Sequence, residues 1–263
     1  TYSVGGDSAV NRTARFVEEV KTTGRSHNRI MVVEVFGRYS GHIAFRGGVG
    51  ADADCILIPE IHVDFGVVYD HLNKRYLRRV KQSETRTGTY VIVVSEAIHD
   101  ITGKRLADET VGIDAFGHKK LGGTGQYVRE QLVKRLKNDP EMTAFMKAEG
   151  LYVEDMNAVP EIRVTVPGYL SRSGISSAFD INFGRDAGAS AVLLLANGFN
   201  GVTVIHMVNG NVQYISTKDA IKQRQADDKT ISLYEELGVC FGRKPVPYLP
   251  SFFQIENAAW CYL

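Results

Sequence analysis

The run Val32-Val33-Glu34-Val35-Phe36-Gly37-Arg38 carries an apolar strand pattern straight into an arginine, and "YVIVVS" at 90–95 leads in the same way into Glu96. In open parallel sheets, ligands bind beyond the carboxyl ends of the strands. A guanidinium and a carboxylate at two such ends suit an anionic, polyhydroxylated ligand, with Arg38 meeting phosphate and Glu96 meeting hydroxyl groups. Two arginine pairs share a nine-residue spacing, Arg29 with Arg38 and Arg163 with Arg172. At roughly 3.3 Å per extended residue, that spacing separates the members of a pair by up to about 30 Å. One subunit cannot bring both to one ligand. If both strand ends are functional, a symmetric oligomer would complete each site with a neighbour's arginines. The plain alternative is a set of solvated strand-end charges.

Other chemistry is excluded by spacing. A dinucleotide fingerprint needs GxGxxG directly after a strand, whereas Gly48-Val49-Gly50 comes only after a further helical stretch. Neither a GxxxxGK(S/T) phosphate loop nor a GxSxG nucleophile elbow occurs. Gly47, Gly48 and Gly50 are therefore expected at a helix C-terminal cap and turn. The seven histidines show no HExxH or paired ligand spacing. Lys74, Arg75, Arg78 and Arg79 recur at helical spacing and suggest a solvated face. Cys55, Cys240 and Cys261 are odd in number and far apart, which argues against a disulfide framework or a zinc cluster and for a reducing cytoplasm.

The elements that must position these groups follow from periodicity. Continuous Val/Ile-rich runs at 30–36, 55–58 and 90–95 suit strands covered on both faces, which are usually parallel. Between them, three- and four-residue apolar steps predict helices over 8–22, capped by Asp7 and closed by Gly24, over 40–45, and over 67–82. A helix from about 122 ends before Pro140, a strand follows at 162–166, and a helix over 179–195 is closed by Gly198. Asn209-Gly210 between alternating runs predicts a type I′ hairpin over 202–215. A helix at about 218–224 precedes a polar stretch and a Pro/aromatic tail. This alternation is α/β.

The chain has 263 residues, 44% hydrophobic, with 31 Lys+Arg against 30 Asp+Glu. It can bury a real core, and its near-neutral charge recruits neither nucleic acid nor an anionic membrane. Any anion site must be local. No run approaches the roughly 18 apolar residues of a membrane span. The opening "TYSVGGD" lacks an initiator Met and suggests the later part of a longer protein.

Several long motifs in series resemble the 6-phosphofructokinases, pyrophosphate-dependent members included. They are "TYSVGGDSAV", "SHNRIMVVEVFGRYSGHIA", "ILIPE", "VIVVSEA", "DAFGHKKLGGTG", "EIRVTVPGYLSRSG" and "GISSAFDINFGRDAGASAVLLLANGFNGVTVI", running from Tyr2 to about Arg224. The resemblance implies a phosphofructokinase-like α/β fold: three layers, with a Rossmann-like, mostly parallel sheet and flanking helices. It also implies fructose 6-phosphate contacts. Phe36 and Gly37 stand where the family usually has Met-Gly, and Arg38 next to them reaches the substrate and the transferred phosphoryl group in a catalytic role. Glu96 matches the glutamate that binds sugar hydroxyls. Tyr169, which is His in many ATP-dependent members, and Arg172 face the sugar phosphate. Arg29 and Arg163 match arginines donated to the adjacent subunit's 6-phosphate, in keeping with the spacing.

The family's glycine-rich donor loops and its "TIDND"-type segment, with the catalytic aspartate and the Mg²⁺-binding acid, are expected before Tyr2. The chain alone is thus expected to bind sugar phosphate without catalysing, with Mg²⁺ held mostly elsewhere. The whole protein is expected to phosphorylate fructose 6-phosphate, as a cytoplasmic homo-oligomer, dimer or tetramer. "DAFGH..LGG" and the Tyr169 motif resemble pyrophosphate-dependent members, with ATP the alternative donor. A non-catalytic sugar-phosphate sensor or regulatory subunit is the competing class. By resemblance, residues 5–171 form a sugar-phosphate domain, 172–216 return to pack on a donor-binding domain, and 217–263 form a C-terminal helix and tail.

Overall fold

The structure, a computed structural model, describes residues 3–106, 122–154 and 158–253. In chain order it places α1 (Gly6–Ser26), β1 (Ile30–Val35), α2 (His42–Gly50), β2 (Cys55–Leu57), β3 (His62–Val63), α3 (Phe65–Gln82), β4 (Tyr90–Ser95), β5 (His99–Asp100), α4 (Thr124–Lys137) and α5 (Pro140–Ala148). There follow β6 (Ile162–Thr165), a 3₁₀ turn (Gly168–Arg172), α6 (Ala178–Ala196), β7 (Val202–Val208), β8 (Asn211–Ser216), α7 (Thr217–Ala220) and α8 (Asp228–Glu236). Four strands form one parallel sheet in the order β2-β4-β1-β6.

Every residue of β1 and β4 is buried, which is why those strands are continuous Val/Ile runs rather than alternating ones. On one face, Val68, Leu72, Tyr76 and Val80 of α3 and Val128, Leu132 and Leu136 of α4 pack on Ile30, Val32, Ile92 and Val94. On the other, Val17 of α1, Ala44 and Phe45 of α2 and Ile231 of α8 cover Met31, Val33, Val91 and Val93. The result is the expected three-layer α/β arrangement. β7 and β8 pair antiparallel through Asn209-Gly210, with φ of 49° and 75°, as the hairpin signal predicts. Beside them, Val192, Leu193 and Leu195 of α6 stay exposed.

Several expectations need correction. Asp7 does not cap α1: it lies in the first turn and accepts from Asn11 Nδ2 at 2.9 Å. Gly24 does not end that helix but is buried within it, where a Cβ would sit 2.6 Å from Thr89 Oγ1 and 2.7 Å from Met31 Cγ. Gly47 and Gly48 are likewise helical, not a terminal turn. Their missing Cβ atoms let α2 approach Thr13 of α1 and Ile56 of β2. Arg75 and Arg79 are not part of a solvated face, because both pair with the buried carboxylate of Asp54, at 2.9 and 2.7 Å. The helix expected to end before Pro140 does so, at Lys137, but Pro140 also opens a further helix that was not expected, with Asp139 capping it. The helix expected near 218–224 is the single turn of α7, and the "polar stretch" beyond it folds as α8. That region completes the sheet's edge: Ile56 N donates to Cys240 O at 2.8 Å and Cys240 N to Asp54 O at 3.0 Å, while Phe241 is fully buried.

Alanine normally stabilises a helix over glycine by about 1 kcal/mol. At Gly47 a Cβ would lie 2.6 Å from Thr13 Cγ2, so Gly47→Ala is expected to destabilise instead, by about 1–3 kcal/mol as overpacking does. Urea denaturation checks this; a gain in stability would contradict the close α1–α2 contact.

Candidate functional site

β1 and β4 run parallel with Val35 opposite Ser95, so the residues after them emerge side by side. Glu96 N donates to Val35 O at 2.9 Å, and the Glu96 carboxylate accepts from Gly37 N at 3.4 Å. Gly37 has φ 154°, and a Cβ there would lie 2.9 Å from both Ser40 O and Ser95 Oγ. Only glycine gives the chain this sharp exit. From the end of β6 the 3₁₀ turn swings Tyr169 and Arg172 over the same spot. The Arg172 guanidinium carbon sits 4.0 Å above the Phe36 ring, and the Tyr169 ring lies 5.8 Å from Phe36. Phe36 is thus a platform that orients a cation, an arrangement favourable for arginine. Tyr169 is 82% exposed, so its ring packs while most of it faces solvent.

Burial pushes the Glu96 carboxyl up from its ordinary value, while the Gly37 N–H and then the charges of Arg38 and Arg172 pull it down without cancelling that rise. Phe36, Gly37, Arg38, Glu96, Tyr169 and Arg172 therefore converge at one rim of the sheet. A crevice of about 530 Å³ extends from Arg172 across Ser8 and Arg12 of α1 to His42 of α2.

Arg29 and Arg163 do not join this group. They stand at the opposite, amino end of the sheet, both bound to Glu161 at 2.6 Å. Burial opposes the ionisation of Glu161, yet the hydrogen bonds from Arg29 and Arg163 hold its carboxyl below the usual range. Arg29 also borders a cavity of about 610 Å³ with His27, Asn28 and Glu161. The two-ended distribution inferred from spacing is what the fold displays.

Sequence reasoning missed three acidic residues that build the rim. The helices α1, α2 and α4 each have glycine at the N-cap (Gly5, Gly41, Gly123), with no side-chain cap of its own. A carboxylate from elsewhere replaces it in each case. Asp180 of α6 accepts from Gly5 N at 2.9 Å, Ser8 N at 2.7 Å and Ser8 Oγ at 2.6 Å. Glu60 accepts from Gly41 N at 2.9 and 3.0 Å. Glu34, buried within β1, accepts from Gly125 N at 2.8 Å. Burial raises the Glu34 carboxyl, the N–H groups of Gly125 and Gly123 oppose this, and the neighbouring charge of Glu96 adds to the rise. Thr124 Oγ1 also donates to Glu96 O at 2.7 Å, so α4 is tied to the rim twice. The motif residues 114–121, together with His118 and Cys261, lie outside the described residues.

Residues 1–195 match the family profile for phosphofructokinase. The chain belongs to the phosphofructokinase family. It is 33% identical over 246 residues to the ATP-dependent 6-phosphofructokinase 1 of Synechocystis sp., covering 91% of this chain and 58% of that protein. It is 30% identical over 242 residues to the pyrophosphate–fructose 6-phosphate 1-phosphotransferase of Streptomyces coelicolor, covering 92% and 60%. The chain thus spans little more than half the length of these relatives. In fold it is similar to the phosphofructokinase structure from Saccharomyces cerevisiae, with a TM-score of 0.57, 22% identity, and coverage of 90% of this chain and 25% of that one.

Because Arg172 is one of two cations that lower the Glu96 carboxyl, Arg172→Ala is expected to move that carboxyl still higher. Carbon NMR of the Glu96 side chain checks the sign; an unchanged or lower titration would mean that the guanidinium does not act on Glu96.

Proposed function

We propose that this chain is the acceptor-binding part of a phosphofructokinase that transfers a phosphoryl group to the 1-hydroxyl of fructose 6-phosphate, giving fructose 1,6-bisphosphate in glycolysis. The observation that carries this is the rim itself: Glu96 between Arg38 and Arg172, on an exit that only Gly37 allows. Glu96 accepts hydrogen bonds from sugar hydroxyls, while Arg172 and Tyr169 face the 6-phosphate. Arg38 reaches toward the phosphoryl group in transfer, where a guanidinium stabilises developing charge. Phe36 holds Arg172 in place through its ring. Arg29 and Arg163, at the far end of the sheet, serve the 6-phosphate of an adjacent subunit, which makes the working protein a homo-oligomer, dimer or tetramer.

In-line attack by the sugar hydroxyl requires a base and a counter-charge for the phosphoryl oxygens. Among the described residues, no group of three His, Cys, Asp or Glu side chains could hold a metal ion. Glu96 is instead flanked by guanidinium groups. The described residues do not fit Mg²⁺. The base and any metal ligands belong to chain beyond these residues, in a donor-binding domain against which 172–216 packs. The exposed Val192, Leu193 and Leu195 supply an apolar surface for that contact, leaving 5–171 as the sugar-phosphate domain and 217–263 as a C-terminal segment whose α8 and Cys240 pack back onto that domain's sheet. Tyr169 in "GYLSRSG" favours pyrophosphate as the donor over ATP. Among the described residues no helix is long and apolar enough to cross a membrane; the glycolytic reading and the near-neutral charge balance lead us to place the enzyme in the cytoplasm.

Full-length protein assayed with fructose 6-phosphate should turn over with pyrophosphate; turnover with ATP alone would reverse the donor, and turnover with neither would favour the sensor class. Arg38→Ala or Arg172→Ala should weaken fructose 6-phosphate use by about 10²-fold or more, as loss of a charged ligand contact does. Arg163→Ala is expected to act on the neighbour's site. Mixing it with an Arg172→Ala partner should therefore restore part of the activity, and no restoration in mixed oligomers would place Arg163 outside any shared site.

A further inference from the structure

The loop between the end of β1 and α2, Arg38-Tyr39-Ser40-Gly41, carries the arginine assigned above to the phosphoryl group. Gly41, the N-cap of α2, has no side chain, and none could be accommodated: a Cβ would lie 2.3 Å from Ile58 Cγ2 and 2.9 Å from Glu60 Oε2. The cap must therefore come from another element. Glu60, in the turn after β2, provides it by accepting the Gly41 N–H on both carboxylate oxygens. An anion at this position also complements the positive end of the helix dipole.

The same carboxylate has a second partner far along the chain. Glu60 Oε1 accepts from Ala226 N at 2.9 Å, and one turn of chain earlier Gln223 Nε2 donates to Tyr39 O at 2.6 Å. The end of this segment is anchored, because Ala226 belongs to the same buried cluster as Ile231 of α8, while Gln223 itself is exposed. The loop is thus suspended between two supports: the Gly37 exit on the β1 side, and a Glu60–Gln223 clamp referred to the C-terminal segment. Arg38 lies between them, within electrostatic reach of Glu96.

We propose that Glu60 and Gln223 are positioning residues for Arg38, so that the C-terminal segment 223–226 sets the geometry of the phosphoryl-facing loop. This rests on the assignment of Arg38 made under the proposed function. Glu60 keeps the loop at its α2 end and Gln223 keeps its midpoint, and neither touches the substrate. Displacing a reacting or orienting group by about 1 Å can cost up to 10²-fold in rate, so the clamp matters to turnover even though it lies outside the site.

The test uses full-length protein with Arg38→Ala as the reference, and measures kcat, KM for each substrate and the melting temperature of Glu60→Gln, Glu60→Ala and Gln223→Ala. The expected result is a fall in kcat/KM for fructose 6-phosphate of about tenfold for Glu60→Ala and about threefold for Gln223→Ala, the sizes of a charge-assisted and a neutral hydrogen bond. Glu60→Gln, which keeps one acceptor oxygen, should recover part of the loss, and KM for the phosphoryl donor should stay unchanged. If Arg38→Ala is impaired but Gln223→Ala and Glu60→Gln behave as the parent protein, the clamp is refuted while the assignment of Arg38 stands. If Arg38→Ala is itself unimpaired, the assignment of Arg38 fails and the inference falls with it. Losses that track a lowered melting temperature and vanish when the assay is run well below it would mark a general folding role and also overturn the proposal. Should Glu60→Ala fail to fold, Gln223→Ala, which removes only a surface amide, decides the matter.

Discussion

The in-register parallel pairing of β1 with β4 and β6 is the constraint on which the rest depends. Ile30 lies opposite both Tyr90 and Ile162, so the three strands begin together. Strands that begin together and run the same way also deliver their following residues to one rim. Three stretches separated by scores of residues in sequence, after Val35, Ser95 and Thr165, therefore meet there. Buried Glu34 marks this register: a slip of one residue would turn it to the opposite layer, away from Gly125 N of α4, from which it accepts at 2.8 Å. The Gly37 exit, the Phe36 platform and the pairing of Glu96 with its cations are consequences of that alignment rather than independent features.

A second layer of organisation holds the helices onto this frame. The helices whose N-termini lie nearest the rim lack local caps, and acidic side chains from other elements replace them. Each such contact satisfies helix N–H groups that would otherwise be left over, and it also ties one structural element to another. Asp180 joins α6 to α1, Glu60 joins the β2 turn to α2 and to the C-terminal segment, and Glu34 joins β1 to α4. The rim is cross-braced by carboxylates, and its arginines stand on the loop after β1 and the 3₁₀ turn after β6, between those braces.

The strands, the three layers and the hairpin were legible in the sequence, because burial on two faces and an Asn-Gly turn leave local, periodic signatures. The residues of the rim were legible too, since strand ends can be located from apolar runs. The distribution of arginines between two ends followed from nothing more than the rise per residue. What escaped was everything that depends on contacts between distant segments. Gly47 and Gly48 look like a helix end in sequence, yet they mark close packing against Thr13 and Ile56. Asp7 sits where a cap would be expected, but the true cap of α1 is Asp180, 172 residues beyond Ser8. α8 is too short and polar to display a periodicity; Asp227 caps it by accepting from Thr230 N at 2.8 Å, and Ile231 fastens it to the sheet. Arg75 and Arg79 look solvated until Asp54 is placed beneath them.

The remote caps also decide what kind of anion site this rim can be. A bare helix N-terminus is a ready cradle for phosphate, with backbone N–H groups already aimed at it. Here the starts of α1, α2 and α4 are filled from within by Asp180, Glu60 and Glu34. A phosphate would find those cradles occupied, and under the function proposed above its positive partners are guanidinium groups on loops and turns. Attraction is thereby moved from rigid backbone to long side chains, which can engage or release a charged ligand by changing rotamer while every helix keeps its first turn intact.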